Sequence, residues 1–168
     1  MAVDTNYRAG IKLQFKNEWA TFAATFARFE YALKQSGYLK YTKPGTSAEA
    51  GWDGFANDLG EDFLSLCKDL PETATLLQHP PRLLKVDRDE SVSWKKPRAI
   101  STVADLFQVV RDTRNNLFHG DQKVHDDRDD ALIHAAQAVL DQSWDRAIKL
   151  SDNPKLVRFV TAFRFLLP

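Results

Sequence analysis

The chain has 168 residues, 43% of them hydrophobic and 27% charged, with a formal net charge of zero. That length and balance describe one compact domain able to bury about 70% of the surface its unfolded form exposes, with no need of a staple. A zero net charge excludes a general polyanion binder, so any nucleic-acid contact must come from a local patch. Cys67 is the single cysteine, which rules out an internal disulfide and fits a reducing compartment. The opening "MAVDTNYRAG" holds no apolar core of signal-peptide length, and no window carries 18 consecutive apolar residues. The expected location is the cytoplasm, with no membrane partner.

Helical spacing dominates the pass along the chain. From Lys12 to Gln35 the large apolar residues fall at Phe15, Trp19, Phe22, Phe26, Phe29 and Leu33, alternating steps of four and three that mark one face of a long helix. Gly37 is suited to a left-handed cap. "KYTKPGTS" (40–47) reads as a loop around Pro44-Gly45. A second helix is predicted over Trp52 to Lys68, although Gly54 and Gly60 weaken it. Pro71 opens a short helix through Leu77, and His79-Pro80-Pro81 ends it. Residues 80–100 carry three prolines and mixed charge; they read as an irregular connection with a short extended piece at Ser91 to Trp94, long enough to be functional. Thr102 and Asp105 form a hydroxyl-then-acid cap for a third long helix, which runs to about His119 and stops at Gly120. Acidic residues from Asp126 to Asp130 open a fourth helix reaching about Leu150, and Asn153-Pro154 caps a last one over Lys155 to Leu166. No strand is called for. The expected fold is an all-α, up-and-down bundle of four or five helices forming a single domain over 1–168.

The segment "RDTRNNLFHGDQ" (111–122) concentrates the polar chemistry. At about 100° per residue, Leu106, Val109, Val110, Thr113 and Leu117 form the core stripe. Gln108, Arg111, Asp112, Asn115 and His119 fall on the opposite side, with Arg114 on the flank. Asn115 and His119 are thus stacked one turn apart, with Arg111 one turn earlier. Histidine exchanges protons near neutral pH. Arginine matches phosphate oxygens and stabilises charge that develops on them. Asparagine orients the imidazole or a hydroxyl. With no nucleophilic Ser or Cys and no carboxylate cluster beside them, the set suits metal-free cleavage of a phosphodiester whose nucleophile is the substrate's own. RNA supplies that nucleophile as its 2′-OH. A solvated polar helix face is the competing reading.

These residues resemble the HEPN superfamily (higher eukaryotes and prokaryotes nucleotide-binding domains). "RNNLFHG" at 114–120 is similar to that superfamily's Arg-x4–6-His signature, in which a polar residue follows the Arg. "ARFEYALKQSGY" at 27–38 resembles the first helix of a bacterial, often plasmid-borne branch. The resemblance implies a helical bundle that homodimerises and brings two Arg/His motifs into one cleft. It implies a metal-independent endoribonuclease leaving a 2′,3′-cyclic phosphate and a 5′-OH, with toxin or anti-phage roles and an antitoxin partner among its forms. Arg114 and His119 map to the signature, with Asn115 as the polar companion. Its non-catalytic members give the alternative: a helical dimer that binds RNA, a nucleotide or a protein partner through the same cleft.

Glu30, beside Phe29 and Tyr31, could pair with Arg114 or Arg111 if its helix packs near the strip; pairing with Lys34 competes. Trp94, Lys95, Lys96 and Arg98 mix a stacking ring with cations, as single-stranded RNA grooves do, and Tyr38, Lys40, Tyr41 and Lys43 do likewise. Ordinary loop anchoring competes in both segments. The histidines and Cys67 lack the spacing of a zinc site. Cys67 reads as core, and no phosphate-binding glycine loop is present. No cofactor or metal is called for.

Overall fold

A computed structural model describes residues 17–118 and 127–164. Among these the chain is mostly helical, with seven helices and one two-stranded sheet. The helices are α1 (Asn17–Gln35), α2 (Trp52–Leu59), α3 (Phe63–Lys68), α4 (Ala74–Gln78), α5 (Val103–Phe118), α6 (Asp127–Lys149) and α7 (Pro154–Phe163). A 3-10 turn, Pro71–Thr73, leads into α4, and strands β1 (Leu83–Val86) and β2 (Val92–Lys95) lie between α4 and α5.

The apolar spacing of α1 does what its period requires. Trp19, Phe22, Phe26, Phe29 and Leu33 are buried, and the helix packs on α6 and α7. Gly37 follows it at φ +85°, the left-handed geometry that ends the helix. The centre of the core is aromatic. Phe55 of α2 lies 4.7 Å from Phe159, 5.5 Å from Phe107, 5.6 Å from Tyr38 and 6.3 Å from Phe29, measured between ring centroids. It therefore joins α1, α2, α5 and α7 in one contact set. The α7 end is tied back by Arg28, which donates to the carbonyls of Ala162, Phe163 and Arg164 at 2.8, 2.9 and 2.9 Å. These are carbonyls that a helix end leaves without intrahelical partners.

Two expectations are corrected. The helix predicted over Trp52 to Lys68 is two helices, broken at Gly60 with φ +91°. Arg146 of α6 secures the break: its Nε donates to the Leu59 carbonyl at 3.1 Å and its Nη2 to both oxygens of Asp62 at 2.8 and 2.9 Å. The 80–100 connection is less irregular than expected: the extended piece read at Ser91 to Trp94 is β2, and it has a partner strand. The two form an antiparallel hairpin in which Leu83 pairs with Lys95, Leu84 with Trp94, Lys85 with Ser93 and Val86 with Val92. Its turn closes through Asp87 N–H to Ser91 O at 2.7 Å, with Glu90 at φ 64°.

The entry to α5 follows the predicted cap. Thr102 Oγ1 accepts from Asp105 N at 3.1 Å, and Asp105 Oδ2 accepts from the Thr102 and Ser101 amides at 2.9 and 3.0 Å and from the Ser101 hydroxyl at 2.8 Å. Asn153 caps α7 through Lys155 N and Leu156 N. No helix of the described residues is long and apolar enough to cross a membrane.

Phe55→Ala should cost about 3–5 kcal/mol in urea unfolding, because it empties a fully buried aromatic site. The donors around Asp105, the Ser101 hydroxyl foremost, hold its carboxyl down at about 2. A depressed carboxylate adds stability above its unfolded pKa and loses it as pH falls through the folded value. The deficit of Asp105→Ala relative to wild type should therefore be full at pH 6 and shrink progressively from about pH 4 to pH 2, followed by thermal melts.

Candidate functional site

Helix α5 carries two different faces. Leu106, Val109, Val110, Thr113 and Leu117 are buried as the core stripe requires, and Phe107 joins them. On the other side Gln108 and Arg111 are half-buried and Asn115 is exposed. The departure is Asp112. Its helical position faces away from the core stripe, yet only 7% of it is exposed. The cover comes from the segment after the hairpin: Arg98 Nε donates to Asp112 Oδ2 at 2.6 Å. Gln108 Nε2 donates to Asp112 Oδ1 at 3.1 Å, and Arg111 Nη1 donates to Gln108 Oε1 at 2.8 Å. One buried carboxylate thus organises two guanidiniums, one directly and one through an amide.

Arg114 sits on the flank, as the helical projection requires. It donates to Asn115 Oδ1 at 3.2 Å, and its guanidinium carbon lies 5.4 Å from the Phe26 ring centroid. The Phe26 contact brings α1 up to the strip, and Glu30 stands one turn further along that helix. Glu30 is half-buried, and among the described residues no ion pair joins it to Arg111, Arg114 or Lys34. His119, the proton-transfer candidate, lies outside the described residues, as do Gly120 and His125.

The hairpin brings a second group of predicted residues to the same helix. Trp94 is half-buried, with the Arg82 guanidinium carbon 5.6 Å from its ring centroid. Lys95 pairs with Asp87 at 2.6 Å across the hairpin, and Lys96 is exposed. Both feet of the hairpin are held by α5. Asn116 Nδ2 donates to the Arg82 carbonyl at 2.9 Å, and Asp112, one turn earlier, holds Arg98. The strip and the Trp94-Lys95-Lys96 segment, 17 residues apart in the chain from Trp94 to Arg111, are therefore neighbours in space. Sequence reasoning missed Arg82, Asn116 and the burial of Asp112. The available signal was the turn-rich "DRDES" between two segments with β-branched ends at Val86 and Val92.

The other basic-aromatic segment serves its own loop. Tyr38 is buried and donates to Asp58 at 2.6 Å, Lys40 pairs with Glu49 at 3.0 Å, and the Lys40 ammonium lies 4.9 Å from the Tyr41 ring centroid. Cys67 is fully buried, and burial pushes its thiol up to about 12, so it is a core residue with no thiolate to offer near neutrality. Among the described residues no cluster of three or more His, Cys, Asp or Glu side chains is placed to hold a metal ion.

Comparison with known proteins finds no match: no family model, no curated protein and no solved structure is similar to this chain.

The Asn116 clasp contributes one neutral hydrogen bond, worth about 1 kcal/mol, or roughly fivefold in an opening equilibrium. Asn116→Ala should therefore raise amide exchange across 83–86 and 92–95 about fivefold while leaving α6 and α7 at wild-type protection.

Proposed function

We propose that this chain is a metal-independent endoribonuclease of HEPN type, built on a four-helix bundle of α1, α5, α6 and α7 and acting as a homodimer. The observation that supports it most is the gathering of Arg111, Arg114 and Asn115 on one helix, with Arg98 and the hairpin that carries Trp94 clasped to the same helix. Such a surface has the chemistry a single RNA strand needs: guanidiniums for phosphate oxygens and an indole for a base. Arg114 is already oriented, by Asn115 on one side and the Phe26 ring on the other. An arginine held this way loses less freedom on meeting a phosphate.

In the reaction, the 2′-OH oxygen bonds to the adjacent phosphorus and the bond from phosphorus to the 5′-oxygen breaks. His119 is the proton-transfer group, taking the 2′-OH proton or returning one to the departing 5′-oxygen. Arg114 stabilises the charge that builds on the non-bridging oxygens. Asn115 and Arg111 orient the phosphate, and Trp94, Lys95 and Lys96 hold the flanking strand. The products are a 2′,3′-cyclic phosphate and a 5′-OH. A helix C-terminus by itself repels phosphate. Here the strip's arginines outnumber its one carboxylate, and a twofold axis would double that excess.

The test is cleavage of a short single-stranded RNA in EDTA, with end-group analysis. Wild type should yield cyclic phosphate ends. Arg114→Ala and His119→Ala should each lower the rate at least about a hundredfold, with a wild-type melt for Arg114→Ala because its side chain is off the core stripe. Sedimentation should show a dimer. Equal cleavage by all three proteins would overturn the assignment, and RNA binding without cleavage by wild type would leave the binding role alone standing.

A further inference from the structure

We infer that Arg98 is an additional phosphate-contacting residue of this site and that Asp112 is its positioning residue; this rests on the ribonuclease reading and extends it to a substrate-binding element outside the Arg/His signature. Arg98 commits only its Nε to Asp112 among the described residues, and its side chain is 39% exposed. The guanidinium is a planar fork, so a bond at Nε restrains its plane and leaves the terminal nitrogens uncommitted among the described residues. Asp112 is a carboxylate withdrawn from water, 7% exposed, beneath an exposed arginine. An ordinary surface ion pair holds neither partner so firmly, because both ends stay solvated.

The geometry ties this pair to the strip and not to the hairpin alone. Asp112 is one residue from Arg111 and also accepts from Gln108, which holds Arg111. Arg98 follows Trp94, Lys95 and Lys96 in the chain, with Pro97 between. Through Asp112 it links the segment that carries Trp94 to the helix that carries the strip. On a strand that touches both the hairpin and α5, a backbone phosphate is the group a fixed guanidinium at their junction recognises.

Removing Arg98 alone would strand a buried carboxylate, so the test uses the double variant Arg98→Gln, Asp112→Asn. It deletes one positive and one negative charge, leaves net charge unchanged and keeps hydrogen-bonding groups at both positions. The probe is a short fluorescein-labelled 2′-O-methyl RNA strand, which lacks the nucleophile and stays intact. Its Kd should rise about tenfold, and the slope of log affinity against log salt should become shallower by about 0.7, the value for one lost phosphate contact on a single strand. On cleavable RNA, KM should rise by a similar factor while kcat stays within about twofold. A folding role would not move the salt slope, and a wild-type melting temperature for the double variant checks that it folds. Arg114→Ala is run beside it. If Arg114→Ala is impaired while the double variant binds with wild-type affinity and slope, the role of Arg98 falls and the ribonuclease reading survives. If wild type neither binds nor cleaves RNA, both fall.

Discussion

A carboxylate taken out of water in the middle of α5 decides where this protein keeps its basic surface. Burying an ionised group costs several kcal/mol unless it is paired and hydrogen-bonded. Asp112 meets that condition with Arg98 and Gln108, and both partners have consequences beyond it. Gln108 carries Arg111, and Arg98 carries the end of the hairpin. Replace Asp112 by an apolar residue and Arg98 loses its anchor, while Gln108 keeps Arg111 but loses one of its own bonds. The core stripe of α5 would be untouched, because Leu106, Val110 and Leu117 face the other way. Fold and site are therefore held by opposite faces of one helix, and they can be perturbed separately.

The hairpin depends on that face more than its own pairing suggests. A two-stranded sheet is marginal in water on its own, and this one exposes Val86 and Val92 at 73% and 62%. Little apolar burial stabilises its outer half. Its inner half is where the clasps act, at Arg82 through Asn116 and at Arg98 through Asp112. These are side-chain bonds from residues four apart, so they lie on one line along the helix. Arg82, whose carbonyl takes the first of them, lays its guanidinium over the Trp94 ring.

How much of this could be read from the residues divides along the same line. The core face was legible, because burial imposes a period: the four-three steps of α1, the stripe of α5 and the caps at Thr102-Asp105 and Asn153-Pro154 all appear where the pattern puts them. What the pattern could not show were contacts made by residues distant in the chain. The break at Gly60 is secured by Arg146 from α6. The extended piece at Ser91 to Trp94 was visible and is β2, but its partner "LLKV" was not, because it is four residues long and lacks a clean alternation of apolar and polar positions. A helical projection places Asp112 on the solvent side and has no means of knowing that Arg98 closes over it. In the candidate site, then, the residue types of the strip were visible, while the link between the strip and the Trp94-Lys95-Lys96 segment was not.

That link bears on the strip's electrostatics. The last turn of a helix presents carbonyl oxygens and a partial negative charge, which on its own would turn a phosphate away. Among the described residues the last turn of α5 carries no basic side chain; Arg114 stands just before it and Arg111 one turn earlier, so they offset that field from outside the turn where it is strongest. The balance is then set by count. Arg98, Arg111 and Arg114 stand against the single carboxylate of Asp112, and that carboxylate is covered while the guanidiniums retain access to solvent. Charges in contact with water attract a ligand from outside; a charge beneath them mainly holds them in place. A chain with zero net charge overall can in this way present a locally cationic surface without a basic composition, by burying the compensating acid.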